Sequence, residues 1–279
     1  MIILTAANSD KARNDQGKIY KKFSFKGVIT ATTEKAKEFG YRAVVHNLGS
    51  LGMGEPFEVS NESFSEKGYY EKEVKKGYKS KSLFKPKMIR LCMEKYNDFV
   101  AYLDGDAQLC GRIDEVMTGD YDIGVTLRDR EELESDWHRE HMEIVKYVNA
   151  GVVFCCPTEA ARKFLVSWEK TTEDVGNDQM ALNKLACPDF YPTVYSILEL
   201  NGVRIKYFPC NVYNYYYFNE YWSPDSKILH FKADVRGFYP FDNKKRMFSM
   251  FIVPILKKVR MLFGMGKKRW SRKFWQDDK

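Results

Sequence analysis

The chain contains no Cys-x-x-Cys pair, no apolar run near membrane-spanning length and no internal repeat, and it has only four histidines among 279 residues. Each absence removes a class of protein. The six cysteines (92, 110, 155, 156, 187 and 210) show no metal-ligand spacing, which argues against a zinc framework. Cys155 and Cys156 are adjacent inside an apolar stretch and read as buried free thiols of a reducing, cytoplasmic compartment. The run Met250–Leu256 falls far short of the roughly 18–20 residues that cross a bilayer. Met1–Ala7 has no positive region ahead of its short apolar stretch, so no secretory signal is expected. With 18 Gly and 9 Pro the chain is neither collagen-like nor of low complexity, and 44% hydrophobic with 15% aromatic residues excludes a disordered one.

What is present begins with charge. The formal net charge is +7, but residues 244–279 carry 12 Lys and Arg against two Asp, a local +10. The first 243 residues hold 33 basic and 36 acidic side chains, a net of −3. The chain therefore divides into a mildly acidic body, 1–243, long enough to bury a sizeable core, and a basic tail, 244–279.

Apolar runs and punctuation order the body as an α/β fold. Residues 2–7 read as a buried strand, 33–39 as a helix stopped by Gly40, and 41–48 as a returning strand. That is a β–loop–α–β opening. The stretch 49–82 is a Gly-, Ser- and Lys-rich connection. Residues 85–96 read as a helix with Pro86 at its start, followed by strands at 98–103, 121–127 and 148–154. A charge-dense exposed helix or lid is expected over 129–146. Helices follow at 158–170, with Thr158 as N-cap, and at 178–185, where Asp178 would also serve as a cap. Short strands are expected at 204–209 and 227–231. Strands alternating with helices predict a mostly parallel sheet, with ligands beyond the strand carboxyl ends.

Chemistry concentrates at those ends. Asp104-Gly105-Asp106 leaves the strand FVAYL, so two carboxylates emerge together and can hold Mg²⁺ or Mn²⁺, while the glycine opens the backbone to a phosphate. An isolated Asp-x-Asp is otherwise an ordinary acidic turn. Asn149 and Gly151 open the next strand, and Asp178 and Gln179 open a helix, with hydrogen-bonding groups suited to sugar hydroxyls. Taken singly, a turn glycine and a helix N-cap are the simpler readings of them. His230 follows Ile228-Leu229 and is either a third metal ligand or a backbone-bonded core histidine. Lys232 and Arg236 supply positive charge just beyond it, for a diphosphate or for solvent. The pair His138 and His141 shares a helix face, as a metal site or simply as part of a solvated lid. Tyr213, Tyr215, Tyr216, Tyr217, Phe218, Tyr221 and Trp222 can stack on sugars or pack in the core.

Taken in order, FVAYLDGDAQL (99–109), YVNAGVVF (147–154), GNDQMALNKL (176–185) and ILHFKADVR (228–236) resemble GT-A fold glycosyltransferases, most of all the retaining, metal-dependent family 8 type. ILTAAN (3–8) and Lys85-Pro86 are similar to that family's base-binding strand and Lys-Pro element. The resemblance covers roughly residues 2–240 and implies a single GT-A (Rossmann-like) domain. It implies Asp104, Asp106 and His230 as ligands of Mn²⁺ or Mg²⁺. Thr5, Ala6, Asn8, Lys85, Asp104, Gly105, Asn149, Gly151, Lys232 and Arg236 would then bind the donor, with Asp178 and Gln179 catalytic. Where family 8 often has His-x-x-Gly-x-x-Lys-Pro-Trp, this chain has His230 to Phe238 without that Gly and Lys; Arg236 stands at the Lys position and can replace its charge though not its geometry.

In the tail, Phe251, Ile252, Ile255, Leu256, Val259, Leu262 and Phe263 fall within an arc of about 140° at helical spacing, with Lys257, Lys258 and Arg260 outside it. Lys267, Lys268, Arg269, Arg272 and Lys273 follow. Pro254 interrupts the pattern. The tail is expected to be an amphipathic helix at an anionic membrane surface, or else packed on the domain; no nucleic-acid recognition motif accompanies its charge. The combined expectation is a cytoplasmic enzyme, peripheral on the cytoplasmic face of a membrane. It would move a sugar from a nucleotide-diphosphate donor, by resemblance a UDP-sugar, to a hydroxyl of a glycan or lipid-linked glycan, with retention. The competing expectations are a metal-dependent nucleotidyl- or phosphotransferase and a non-catalytic membrane adaptor of the same fold.

Overall fold

In the computed structural model the described residues are 1–7, 20–47, 58–59, 84–134, 146–216, 223–241, 245 and 247–262. Ten strands occur among them: β1 (Ile2–Ala7), β2 (Arg42–Asn47), β3 (Glu58–Val59), β4 (Val100–Asp104), β5 (Ala107–Leu109), β6 (Ile123–Leu127), β7 (Val148–Cys155), β8 (Ile197–Leu200), β9 (Val203–Pro209) and β10 (Ile228–His230). The longer helices are α1 (Phe25–Glu38), α2 (Lys85–Tyr96), α3 (Glu159–Val175), α4 (Asp178–Ala186) and α5 (Val253–Leu262).

Eight strands form one sheet in the order β3-β2-β1-β4-β7-β6-β9-β8. β1, β2, β3, β4, β6 and β9 run one way, while β7 and the edge strand β8 run the other. The sheet is therefore mostly parallel, as the alternating pattern predicts. β1 and β7 are buried along their whole length, because helices cover both faces and each strand needs apolar residues on both. Ile2, Leu4, Tyr102 and Val153 pack with Met88, Ile89, Phe164, Leu165, Trp168 and Leu182 of α2, α3 and α4. The alternate positions Ile3, Ala101, Leu103, Val152 and Phe154 pack on the other side with Ala36, Phe208 and Tyr213.

Reversal of β7 shapes the site. It pairs antiparallel with both neighbours, with Leu103 opposite Val152 and Leu127 opposite Val148. Its beginning thus lies beside the ends of β4 and β6, so residues that open one strand meet residues that close two others. A second, two-stranded ribbon pairs β5 with β10, His230 opposite Ala107. The strand expected at 227–231 therefore belongs to this ribbon and not to the main sheet.

Helix boundaries follow local chemistry in most places. Thr158 Oγ1 accepts the Ala161 N–H at 3.1 Å, and α3 ends at Gly176 in the left-handed region, φ +72°. At α4 the cap is Asn177, whose Oδ1 accepts the Met180 N–H; Asp178 is the first helical residue, not the cap. α1 begins at Phe25, well before the expected 33, with Ser24 Oγ accepting from Gly27 N at 2.9 Å. Val28, Ile29, Thr30, Thr32 and Thr33 are poor helix formers, and burial of Val28, Ile29, Thr32 and Thr33 overrides that preference.

Cys155 and Cys156 are buried and free. In the tail a single π-type segment, Phe248–Ile252, runs into α5. Pro254, lacking a backbone N–H, sits at that junction, where its loss of one hydrogen bond is accommodated. Phe251, Ile255 and Leu262 are exposed by 56, 57 and 83%, whereas Val253 is buried. Phe263 and the basic residues after it lie outside the described residues, as do the stretch 60–83 and most of the expected lid, including His138 and His141. Among the described residues no helix is long and apolar enough to cross a membrane.

Candidate active site

The ends of β1, β4 and β6 and the start of β7 enclose a cavity of about 440 Å³. At its floor, Asp104 closes β4 and Asp106 follows one residue later. The Phe231 N–H donates to the Asp106 carbonyl at 2.8 Å, and this ribbon contact carries His230 to the pair from 124 positions away. His230 Nε2 lies 3.2 Å from Asp106 Oδ1 and 3.9 Å from Asp104 Oδ2. One ligand atom from each of Asp104, Asp106 and His230 falls within 4.8 Å of the others. Two carboxylate oxygens and an imidazole nitrogen suit Mn²⁺ well and Mg²⁺ acceptably.

The two carboxylates are not equivalent. Burial raises the proton affinity of Asp104 above the ordinary carboxylate range, and Lys85 and His230 only partly oppose that. Burial acts on Asp106 too, but His230 and the Arg236 guanidinium, 2.7 Å from its Oδ2, overcome it and hold Asp106 well below that range. The Tyr102 hydroxyl donates to Asp104 Oδ1 at 3.0 Å; burial foremost keeps that phenol protonated.

Lys85 opens α2 and is buried. Its Nζ lies 2.9 Å from Asp104 Oδ1, 2.7 Å from Asp178 Oδ2 and 2.9 Å from the Ala150 carbonyl, to which it donates. Burial disfavours its charge, yet Asp104 and Asp178 more than reverse this and hold it cationic above the usual lysine range. One buried cation thus ties the metal-ligand strand to the first turn of α4. Removing it would strand the buried Asp178 carboxylate and the half-buried Asp104 one, at a cost of about 3–5 kcal/mol.

Gln179 faces the same wall. Its Oε1 accepts from Ala150 N at 2.9 Å and its Nε2 donates to Val148 O at 2.6 Å, so the amide pairs with β7 as a neighbouring strand would. Each amide atom retains one further hydrogen-bonding position. Asn149 Oδ1 accepts the Gly151 N–H at 2.8 Å, turning this side chain along its own strand. Both glycines answer to packing. A Cβ on Gly105 would stand 2.4 Å from the Ala6 carbonyl oxygen, and one on Gly151 would stand 2.3 Å from His230 Cε1.

Of the residues expected at the site, Ala6, Lys85, Asp104, Gly105, Asp106, Asn149, Gly151, Asp178, Gln179, His230, Lys232 and Arg236 line the cavity. Thr5 does not. It is buried one position earlier on β1, and alternation turns it toward the face opposite Ala6. Asn8 lies outside the described residues. Lys232 sits with its Nζ 3.2 Å from the centre of the Tyr216 ring. Tyr213, Tyr215 and Tyr216 are buried, and the Tyr216 hydroxyl donates to Glu132 at 2.6 Å. These three are core residues; Tyr217, Phe218, Tyr221 and Trp222 lie outside the described residues.

Arg128 and Asn214 belong to the site without a mark in the sequence. Arg128 lines the cavity just past the end of β6 and is paired with Glu132 at 2.8 Å; its place after a strand was the available signal. Asn214, fully buried, contacts His230 Nδ1 at 2.7 Å. A polar residue inside VYNYYY was the signal there.

Residues 60–238 match a protein family described as nucleotide-diphospho-sugar transferase. No significant match is found among curated proteins. Among solved structures, a glycosyltransferase involved in glycosylation of the major capsid of PBCV-1 shares 11% identity at a TM-score of 0.48, covering 83% of this chain and 94% of its own. The galactosyltransferase LgtC, solved with donor and acceptor sugar analogues, shares 15% identity at a TM-score of 0.47, covering 86% and 90%. The glycosyltransferase GlyE of Streptococcus pneumoniae shares 13% identity at a TM-score of 0.40, covering 98% and 67%.

Proposed function

The chain belongs to the nucleotide-diphospho-sugar transferase family, and from that premise we propose a divalent-metal-dependent transferase that moves a sugar, from UDP in the first instance, to a hydroxyl of a glycan or lipid-linked glycan with retention. The observation that carries this reading is the convergence of Asp104, Asp106 and His230 at the floor of a sugar-sized cavity. These three residues fit Mn²⁺ or Mg²⁺. When bound, such an ion supplies charge neutralisation for a departing diphosphate.

The chain's own residues account for the rest. Arg236 and Lys232 bring positive charge to the donor phosphates from the His230 side. Ala6 and Ala7 leave open backbone beside the nucleotide. Asp178, Gln179 and Asn149 face the transferred sugar. Asp178 Oδ2 is occupied by the Lys85 ammonium 2.7 Å away, which supports a path in which no side chain takes the acceptor proton. The sugar C1–O bond breaks with its electron pair passing to the phosphate oxygen, the acceptor oxygen bonds to C1 on the same face, and the acceptor proton passes to that phosphate oxygen.

The test is incubation with a panel of nucleotide sugars and Mn²⁺. The reading expects release of a nucleoside diphosphate, lost in Asp106→Ala. Release of pyrophosphate or free phosphate would mark a nucleotidyl- or phosphotransferase instead, and absence of metal-dependent nucleotide binding would mark an adaptor.

For the tail we propose attachment to an anionic membrane surface. The exposed apolar side chains of 251–262 and the surplus of basic residues in 244–279 support it. A lipid-linked acceptor would then be within reach.

A further inference from the structure

We propose that Asn214 is a positioning residue that fixes His230 in the tautomer whose Nε2 lone pair faces Asp104 and Asp106. This deepens the metal reading above and rests on it for its functional meaning.

The argument follows the direction of a buried relay. The Asn149 backbone carbonyl can only accept, and the Thr126 hydroxyl donates to it at 3.1 Å. With its proton so committed, Thr126 Oγ1 accepts from Asn214 Nδ2 at 2.8 Å. That turns Asn214 Oδ1 toward His230 Nδ1, 2.7 Å away. An amide oxygen can only accept, so Nδ1 carries the ring hydrogen. Nε2 is then the nitrogen left to a cation held between the ring and the carboxylate oxygens of Asp104 and Asp106. A metal-bound histidine held by a hydrogen bond from its other nitrogen is the general form of this device.

The relay joins β6, the start of β7, the segment after β9, and β10, and Thr126, Asn149, Asn214 and His230 are all buried. It starts beside the register shift between Val125 and Thr126 in the β6–β7 pairing. No single element could aim the ring. In the opposite tautomer the Nε2 hydrogen would turn to Asp106 and occupy the direction a cation needs, and Asn214 Oδ1 would face a second acceptor.

Two readouts on the full-length protein test this. Nitrogen-15 NMR of the metal-free chain, read on the high-pH plateau of the ring signals, with Asn214→Leu and wild type compared and the His230 signals assigned by His230→Gln, should find the hydrogen on Nδ1 in wild type and a mixed population in the variant. Titration of Mn²⁺ followed by electron paramagnetic resonance should find Asn214→Leu weakened by about 10–100-fold and Asn214→Asp, which keeps an acceptor oxygen, largely restored. A wild-type ring whose single hydrogen on that plateau sits on Nε2, or an Asn214→Leu chain that binds Mn²⁺ as wild type does, overturns the proposal. Failure of wild type to bind Mn²⁺ at all would overturn the metal reading and leave the tautomer result to decide this one. If Asn214→Leu does not fold, Thr126→Val takes its place: a weaker affinity and a mixed tautomer support the relay, and neither changing overturns it.

Discussion

Gly151 stands so close to His230 that a β-carbon on it would lie 2.3 Å from ring Cε1 and 2.7 Å from Nδ1. The glycine is therefore a condition for the position of the proposed ligand. Gly151→Ala must displace a ring that Asn214 and Asp106 hold, and the expected outcome is about a 10-fold or greater loss of Mn²⁺ affinity with a stability cost of about 1–3 kcal/mol. Calorimetric Mn²⁺ titration beside denaturant melts checks both. A variant that binds metal normally would mean the ring moves freely.

Gly105 is a different case because its neighbour is backbone. The missing β-carbon would meet the Ala6 carbonyl oxygen at 2.4 Å and Ala7 Cβ at 3.0 Å, so β1 and the turn after β4 cannot both keep their places in Gly105→Ala. The expected result is loss of nucleotide binding through displacement of Ala6 and Ala7, measured with a fluorescent nucleoside diphosphate. Unchanged binding would show that the turn yields without disturbing β1.

The part of this site legible in the sequence is the part built from short-range pattern. Asp104, Gly105 and Asp106 leave a recognisable strand, and Asn149, Gly151, Asp178 and Gln179 sit at element starts that local residues mark. What joins them is not local. His230 reaches Asp106 only through the β5–β10 ribbon, and Arg128 and Asn214 act through partners that are remote in the chain or concealed among aromatics. Thr5 and Ala6 show a second limit. When both faces of a strand are buried, the sequence has no polar alternation to say which residue faces the cavity. The early start of α1 was hidden for a related reason, since β-branched residues chosen for packing do not resemble a helix.

The Lys85 ion pairs lead to a prediction about stability. Lys85→Met removes the cation between Asp104 and Asp178, and the expected loss is about 3–5 kcal/mol. Adding Asp178→Asn should return part of it, because one stranded charge then disappears. Denaturant unfolding of the single and double variants measures the recovery. A double variant less stable than the single one would mean Asp178 is held by something other than Lys85.

Asp122 links three elements away from the cavity. Its Oδ2 accepts the Arg204 N–H at 2.9 Å, its Oδ1 accepts from the guanidinium at 3.0 Å, and Thr158 donates to Oδ1 at 2.9 Å. Burial raises its proton affinity, but Arg204 and these donors outweigh it and depress its pKa. A depressed carboxyl contributes its stability above the unfolded value, about 3.9, and loses it as pH falls through the folded one. Asp122→Asn should therefore cost about 1–2 kcal/mol at pH 7, discounted for the exposed side of Arg204. The gap from wild type should narrow below about pH 4. Urea unfolding at pH 7 and pH 3 supplies the comparison, and an equal gap at both would remove Asp122 from the acid response.

The tail offers a prediction that leaves the cavity untouched. Ile255 and Leu262 are exposed and make no part of the core, so Ile255→Glu with Leu262→Glu should leave folding intact. It should weaken flotation with vesicles containing anionic lipid, since an apolar face provides insertion and basic groups provide attraction. Wild-type flotation should also fall as salt rises, because the Debye length shrinks from about 10 Å at 0.1 M to about 3 Å at 1 M. If the double variant floats like wild type while salt still releases both, charge alone holds the tail to the surface. If neither floats at low salt, the exposed face has another partner, and the acceptor need not be tied to a lipid.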